Sequence, residues 1–103
     1  MTLQAWLRSR SPSPPPRLAE RIDAVLGDRW ATDSADATEH CVAAGEELLA
    51  DLLGRPSAGR ESALDLLTVD ALITYAFEAA AIDATMLQSR ADAAMSRLAA
   101  AAR

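Results

Sequence analysis

Residues 60–103 read RESALDLLTVDALITYAFEAAAIDATMLQSRADAAMSRLAAAAR, with neither glycine nor proline in the stretch. Alanine, leucine, glutamate and arginine all favour helix, and preferences that are weak singly become informative when summed over so long a window. The stretch predicts one very long helix or a tight helical hairpin. Its two halves differ. In the front half, through about Ala81, Leu66, Val69, Ile73, Phe77 and Ala80 form one apolar stripe and Leu64, Ala71 and Tyr75 another. A helix apolar over most of its circumference is a central one. In the back half, Ala84, Leu87, Ala91, Ala94, Leu98 and Ala101 alternate spacings of three and four, the heptad rhythm of a coiled-coil seam. Alanine gives such a seam little area, but it lets helix axes approach toward the low end of the usual range of about 8–10 Å.

Between the halves, Asp83 can cap a new helix, and Thr85 with Gln88 has capping-box spacing. The expectation is a break or kink at residues 81–85, giving fourth and fifth helices. An unbroken rod would extend about 60 Å at about 1.5 Å per residue, longer than a small domain covers, and would need a partner.

Upstream, Asp33 or Ser34 can cap a third helix that runs to about Leu53 and is closed by Gly54 and Pro56. On a helical wheel Cys41, Val42, Gly45, Leu48, Leu49, Leu52 and Leu53 share one side, opposite Asp36, Glu39, His40, Glu46, Glu47 and Asp51. The second helix begins at Ser13 or a neighbouring proline, shows Leu18, Ile22, Val25 and Leu26 on one face, and stops at Gly27. Residues 11–16 are proline-rich and read as an extended spacer. Before them, Thr2 can cap a helix of about two turns with Leu3, Trp6 and Leu7 on one side. Such a helix is far shorter than the roughly 12 residues at which isolated helices become marginal, so Trp6 must dock on the domain or on a partner.

The expected fold class is therefore all-α, a small helical bundle of three main helices plus short N-terminal helices, which dimerisation would complete. Residues 1–16 are read as a short helix and proline-rich arm, and residues 17–103 as a single all-helical domain. A length of 103 residues suits one domain with a modest core. That core is poor in aromatics, with only Trp6, Trp30, Tyr75 and Phe77.

All basic residues are arginine, and lysine and asparagine are absent, which suggests a GC-rich bacterial genome. The net charge of −5 and the pI near 4.7 oppose nucleic-acid binding, which needs a basic face to displace counterions. Arg8, Arg10, Arg17 and Arg21 do make the N-terminus a basic arm, but its prolines interrupt any amphipathic targeting helix. No apolar run is long enough for a secretory signal or a membrane span, so no membrane partner is expected and the chain is placed in the cytoplasm. A single cysteine, Cys41, agrees with a reducing compartment.

Candidate chemistry is sparse. His40 with Asp36, Glu39 and Glu47 has the right residue types for a metal or acid–base cluster, but the Glu-x-x-His spacing of helical-bundle metal sites is missing. All four lie opposite the leucines, as a solvated polar face would. Asp70, Thr74 and Glu78 line a narrow polar strip on the otherwise apolar fourth helix. Two desolvated carboxylates there would have a raised pKa and the makings of an acid or base. The plainer reading is a solvent-facing edge, or partners for arginines of another helix. Cys41 and His40 are adjacent in sequence, so on a helix they point about 100° apart and do not readily form a nucleophile pair.

No catalytic, cofactor-binding or metal-ligating residue is assigned, and no cofactor is expected. The leading expectation is a non-enzymatic interaction or oligomerisation module, a homodimer with Trp6, Leu87, Ala91, Ala94 and Leu98 as interface residues. The alternative is a small ligand- or metal-binding bundle that uses Asp70 and Glu78 with His40 and nearby carboxylates. A third is a regulator presenting Trp6 to an unidentified protein partner.

Overall fold

The structure is a computed structural model that describes residues 1–56 and 59–102. Four α-helices follow one another: α1 (Leu3–Arg8), α2 (Pro16–Leu26), α3 (Ala37–Leu53) and α4 (Arg60–Ala101). Two short 3-10 turns, Gly27–Ala31 and Ser34–Asp36, carry the chain from α2 into α3. The described residues form no sheet, only an isolated antiparallel bridge between Thr2 and Asp33, so the all-α expectation holds. No helix of the described residues is long and apolar enough to cross a membrane.

The ends of the short helices follow their sequence signals. The Thr2 hydroxyl accepts a hydrogen bond from the Ala5 N–H at 3.1 Å and caps α1. Pro16 occupies the first turn of α2, where its missing N–H costs nothing. Gly27, with φ of +49°, turns the chain out of α2 in a conformation that side chains with a Cβ rarely adopt. The Asp33 carboxylate accepts from the Ala35 N–H at 2.8 Å, and so caps the 3-10 turn that leads into α3 rather than α3 itself.

The core is shared by all four helices. Leu3 and Leu7 of α1, Ile22 and Leu26 of α2, Ala37, Cys41 and Ala44 of α3, and Leu72, Ala76 and Ala79 of α4 form one buried cluster. Two backbone hydrogen bonds hold α1 against it, from the Leu3 N–H to the Thr32 carbonyl at 2.8 Å and from the Ser34 N–H to the Met1 carbonyl at 2.9 Å. Trp6 docks on its own chain. It meets Tyr75 edge to face, with centroids 6.4 Å apart, while the Arg10 guanidinium lies 5.2 Å from the Trp6 ring centroid.

Helix α3 packs along the front of α4. Gly45 makes the approach close, since a Cβ there would come within 3.2 Å of Ile73 Cδ1. Only one stripe of α3 is covered: Ala37, Cys41, Ala44, Gly45 and Leu48 are buried, whereas Leu49 and Leu53, expected on the covered side, are exposed. The terminal turn of α3 extends beyond what α2 and α4 enclose.

On α4 the structure corrects the reading of the sequence twice. The buried stripe is Asp65, Thr68, Val69, Leu72, Ala76 and Ala79; of the expected stripe Leu66, Val69, Ile73, Phe77 and Ala80, only Val69 is buried and Ile73 is half-buried. Leu66 and Phe77 are exposed, and Ala80 with them. Nor does the helix break at 81–85. The Thr85 hydroxyl donates to the Ala81 carbonyl at 3.0 Å and the Gln88 amide to the Asp92 carboxylate at 2.9 Å, so the supposed capping groups are spent within a continuous helix.

Asp65 is the buried charge on α4. Its side chain is 6% exposed and is clamped by Arg21 Nε from α2 at 2.6 Å and Arg55 Nη2 at 2.8 Å. The Arg21 hydrogen bond leads in holding the carboxyl below the usual carboxylate range. Burial opposes it, and the Arg55 hydrogen bond adds to it. A depressed folded-state pKa contributes stability that is full above the unfolded value of about 3.9 and is lost as pH falls through the folded value. Asp65→Asn should destabilise the fold by about 2 kcal/mol at neutral pH, below the usual cost of breaking a buried pair because both arginines are more than a third solvent-exposed. In urea melts at several pH values, the gap between wild type and variant should narrow below about pH 4.

The close approach at Gly45 yields a second prediction. Gly45→Ala should stay within about 1 kcal/mol of wild type, because the nearest atom is the movable tip of Ile73 and alanine regains helix propensity. Gly45→Leu should cost about 3 kcal/mol by wedging α3 off α4, as a thermal melt would read.

Candidate functional site

The residues singled out for chemistry are dispersed. Asp70 and Thr74 are exposed, and the Thr74 hydroxyl donates to the Asp70 backbone carbonyl at 2.9 Å. Glu78 is half-buried and paired with Arg10 Nε at 2.9 Å, so the far end of the strip meets an arginine of the N-terminal arm. Glu47 accepts from Arg29 Nη2 at 3.0 Å, and Asp36 ends the 3-10 turn ahead of α3. His40 is half-buried on α3. Among the described residues, no group of three or more histidine, cysteine, aspartate or glutamate side chains is placed to hold a metal ion.

Cys41 is fully buried, and desolvation pushes its thiol pKa up to about 11. The thiolate is the nucleophile, and at pH 8 its population falls roughly two orders of magnitude below that of an ordinary cysteine. The native protein should therefore leave Ellman's reagent unreacted over minutes at pH 8 and titrate one thiol after addition of guanidinium. A rapid native reaction would contradict the burial.

A cavity of about 310 Å³ lies between α1, the proline-rich arm and α2, walled by Leu7, Pro14, Ile22, Trp30 and Tyr75. Its polar groups do not converge on a point. The Trp30 indole N–H is already donated to the Asp23 carbonyl at 3.0 Å, and Arg8, Ser13 and Asp23 supply the other polar groups of the wall.

The feature without a partner is the outer face of α4. Leu66, Phe77, Leu87 and Leu98 are between 58 and 73% exposed. Every residue from 83 to 102 is exposed as well, so no residue of the last five turns is buried in its own chain, though Asp83, Met86, Leu87 and Arg90 border a cavity with Trp6 and residues 33–35. Because the helix is unbroken, the heptad rhythm of its back half continues without a phase change into the front half. Stepping back from Ala84 by four and three residues reaches Ala80 and Phe77, then Ile73, Asp70 and Leu66.

The result is one seam on a single side of the rod, from Leu66 to Ala101, about 50 Å long at about 1.5 Å per residue. Beside its front end, Leu49, Leu67 and Ile73 line a shallow apolar groove between α3 and α4. Leu87, Ala91, Ala94 and Leu98, the interface residues expected from the sequence, lie in the seam, and Trp6 does not. Leu66, Ile73 and Phe77 were missed as seam residues because a break was expected at 81–85. The alternation of three and four running back through Ala80 is the signal that reveals them.

No known protein family, curated protein or solved structure matches this chain.

Proposed function

We propose that this protein is a non-enzymatic association module that forms a homodimer through the exposed seam of α4. One observation carries the reading: a heptad-phased seam, apolar at every position but Asp70, runs from Leu66 to Ala101 on a helix with no buried residue in its last five turns. Exposed apolar residues scattered singly are ordinary, whereas a contiguous line of them marks an interaction surface. The chain supplies its own matching helix, because two copies of a heptad seam interlock without any further specialisation.

Composition supports this reading. Asp83 and Asp92 balance Arg90 and Arg97 in the back half of α4, so two tails can lie together without net repulsion. A strongly acidic chain is a poor match for nucleic acid. We place the dimer in the cytoplasm of a bacterium with a GC-rich genome, in keeping with the arginine-only basic residues and a lone buried cysteine.

Sedimentation equilibrium at roughly 30 µM should return the mass of a dimer, and the thermal transition should rise with protein concentration, as mass action requires. The double variant Leu87→Asp with Leu98→Asp should raise the dissociation constant by about 100-fold or more, since each leucine buried from water contributes about 1.5–3 kcal/mol. Its head should still unfold cooperatively, because neither residue belongs to the buried cluster that holds the helices together. A wild-type monomer with a concentration-independent transition would refute the proposal.

A further inference from the structure

We infer that the two copies of α4 pair antiparallel, in the register that sets Asp83 of each chain beside the partner's Arg90. The inference rests on the self-association proposed above and specifies its geometry.

The first argument is the distribution of charge along the seam. On one edge, Asp83, Arg90 and Arg97 recur every seven residues. On the other edge, Thr74, Ala81, Gln88 and Met95 recur with the same period, and none is charged. Flanking charges set orientation in paired helices. In a parallel pair, each edge meets the opposite edge of its partner, so Asp83 would face only Gln88 of the partner subunit and Arg90 only Met95 of the partner subunit. In an antiparallel pair, each edge meets its own counterpart. Aspartate then meets arginine on one side, while Met95 and Ala81 fall together with the less polar edge on the other.

The second argument is Asp70, which lies within the seam and is exposed in the single chain. A parallel pair would stack Asp70 directly against its own copy, a like-charge contact in a desolvated layer. The antiparallel register places it opposite the partner's Ala101, near the end of the tail where water has access.

Charge also selects the register. Sliding one heptad toward the tails pairs Asp83 with the partner's Arg97 but opposes Arg90 to its own copy, and sliding one heptad toward the heads opposes Asp83 to its own copy, so only the intermediate register avoids a like-charge contact. Only the intermediate register forms Asp83–Arg90 pairs, and it forms two of them by symmetry. The same register seats Ala84 against the partner's Leu87, Ala80 against the partner's Ala91, Phe77 against the partner's Ala94, and Ile73 against the partner's Leu98. Phenylalanine and leucine thus meet alanine in two of the layers on either side of the axis, and Leu98 reaches the groove beside Leu49.

Cysteine cross-linking in a Cys41→Ala background tests the geometry. Chains carrying Ala80→Cys mixed with chains carrying Ala91→Cys should oxidise to a mixed disulfide, with each variant alone linking about tenfold less, because residue 91 lies about 16 Å along the axis from its own copy. Charge exchange gives an independent readout. Asp83→Arg alone should weaken the dimer by about fivefold, and Asp83→Arg with Arg90→Asp should restore it. A dimeric protein in which Ala91→Cys links readily to itself is parallel. That result, or failure of the double variant to restore affinity, overturns this inference while leaving the association module standing. A wild-type monomer removes both.

Discussion

Helix α4 is 42 residues long, and the longest element available to cover it, α3, has 17. At about 1.5 Å per residue, α3 can sheathe about 25 Å of a rod of about 63 Å. The short helices α1 and α2 pack alongside the same front segment, and Trp6 with residues 33–35 borders α4 only as far as Arg90. This mismatch governs everything else in the molecule. It concentrates the core at one end, draws the shape out to 68 × 23 × 23 Å, and leaves the remainder of α4 to solvent or to another chain. An alanine-rich helix can be propagated from a packed front half without a new nucleation cost, so the tail persists even though none of its residues is buried in its own chain.

The packed end is held by contacts that no single segment of sequence discloses. Asp65 would be a costly residue to bury alone, and it is tolerated because Arg21 and Arg55 reach it from α2 and from the end of α3. The clamp fixes where α2 crosses α4 and which face of α4 turns inward. With Asp65 directed into the protein, Thr68, Leu72, Ala76 and Ala79 follow on the same side, and Thr68 satisfies its hydroxyl on the Leu64 carbonyl at 2.8 Å. The larger apolar residues Leu66 and Phe77 are thereby rotated outward. At Gly45 α3 approaches closely, and Ile73 Cδ1 and Leu72 Cβ lie 3.2 and 3.7 Å from the position a Cβ would take there.

What could be read from the sequence, and what could not, follows from this. The faces of α1 and α2 were legible because each is amphipathic by itself: Leu3 with Leu7, and Ile22 with Leu26, need no distant residue to explain their burial. On α3, burial of Cys41, Gly45 and Leu48 was legible but the burial of Ala44 and the exposure of Leu49 and Leu53 were not, because a helical wheel does not say how wide a stripe its neighbours cover. The inward face of α4 was misread for a different reason. Ranking faces by bulk favours the stripe with Leu66, Ile73 and Phe77, and an aspartate argues against its own side unless its arginines, 44 and 10 residues away, are known. The heptad seam in the tail was legible in full, since it depends only on spacing. Its forward extension was hidden by assigning capping roles to Asp83, Thr85 and Gln88. In the structure Thr85 and Gln88 act within the helix, and the seam passes through.

The outward rotation of the bulky stripe bears on how the molecule works. A helix that kept Leu66, Ile73 and Phe77 in its core would present only the alanine-dominated tail for association, and alanine buries too little apolar area to hold two chains together at moderate concentration. By turning Leu66 and Phe77 outward and leaving Ile73 half-exposed, α4 places phenylalanine and isoleucine in the same line as Leu87 and Leu98. Their bulk falls in the front half, next to α3, and the alanines fall in the back half. An arrangement with bulk at one end and small residues at the other is self-complementary when the second copy is reversed, because each broad end then meets a narrow one. The size gradient along α4 and the one-sided placement of its charges are separate properties of the sequence, and they select the same orientation.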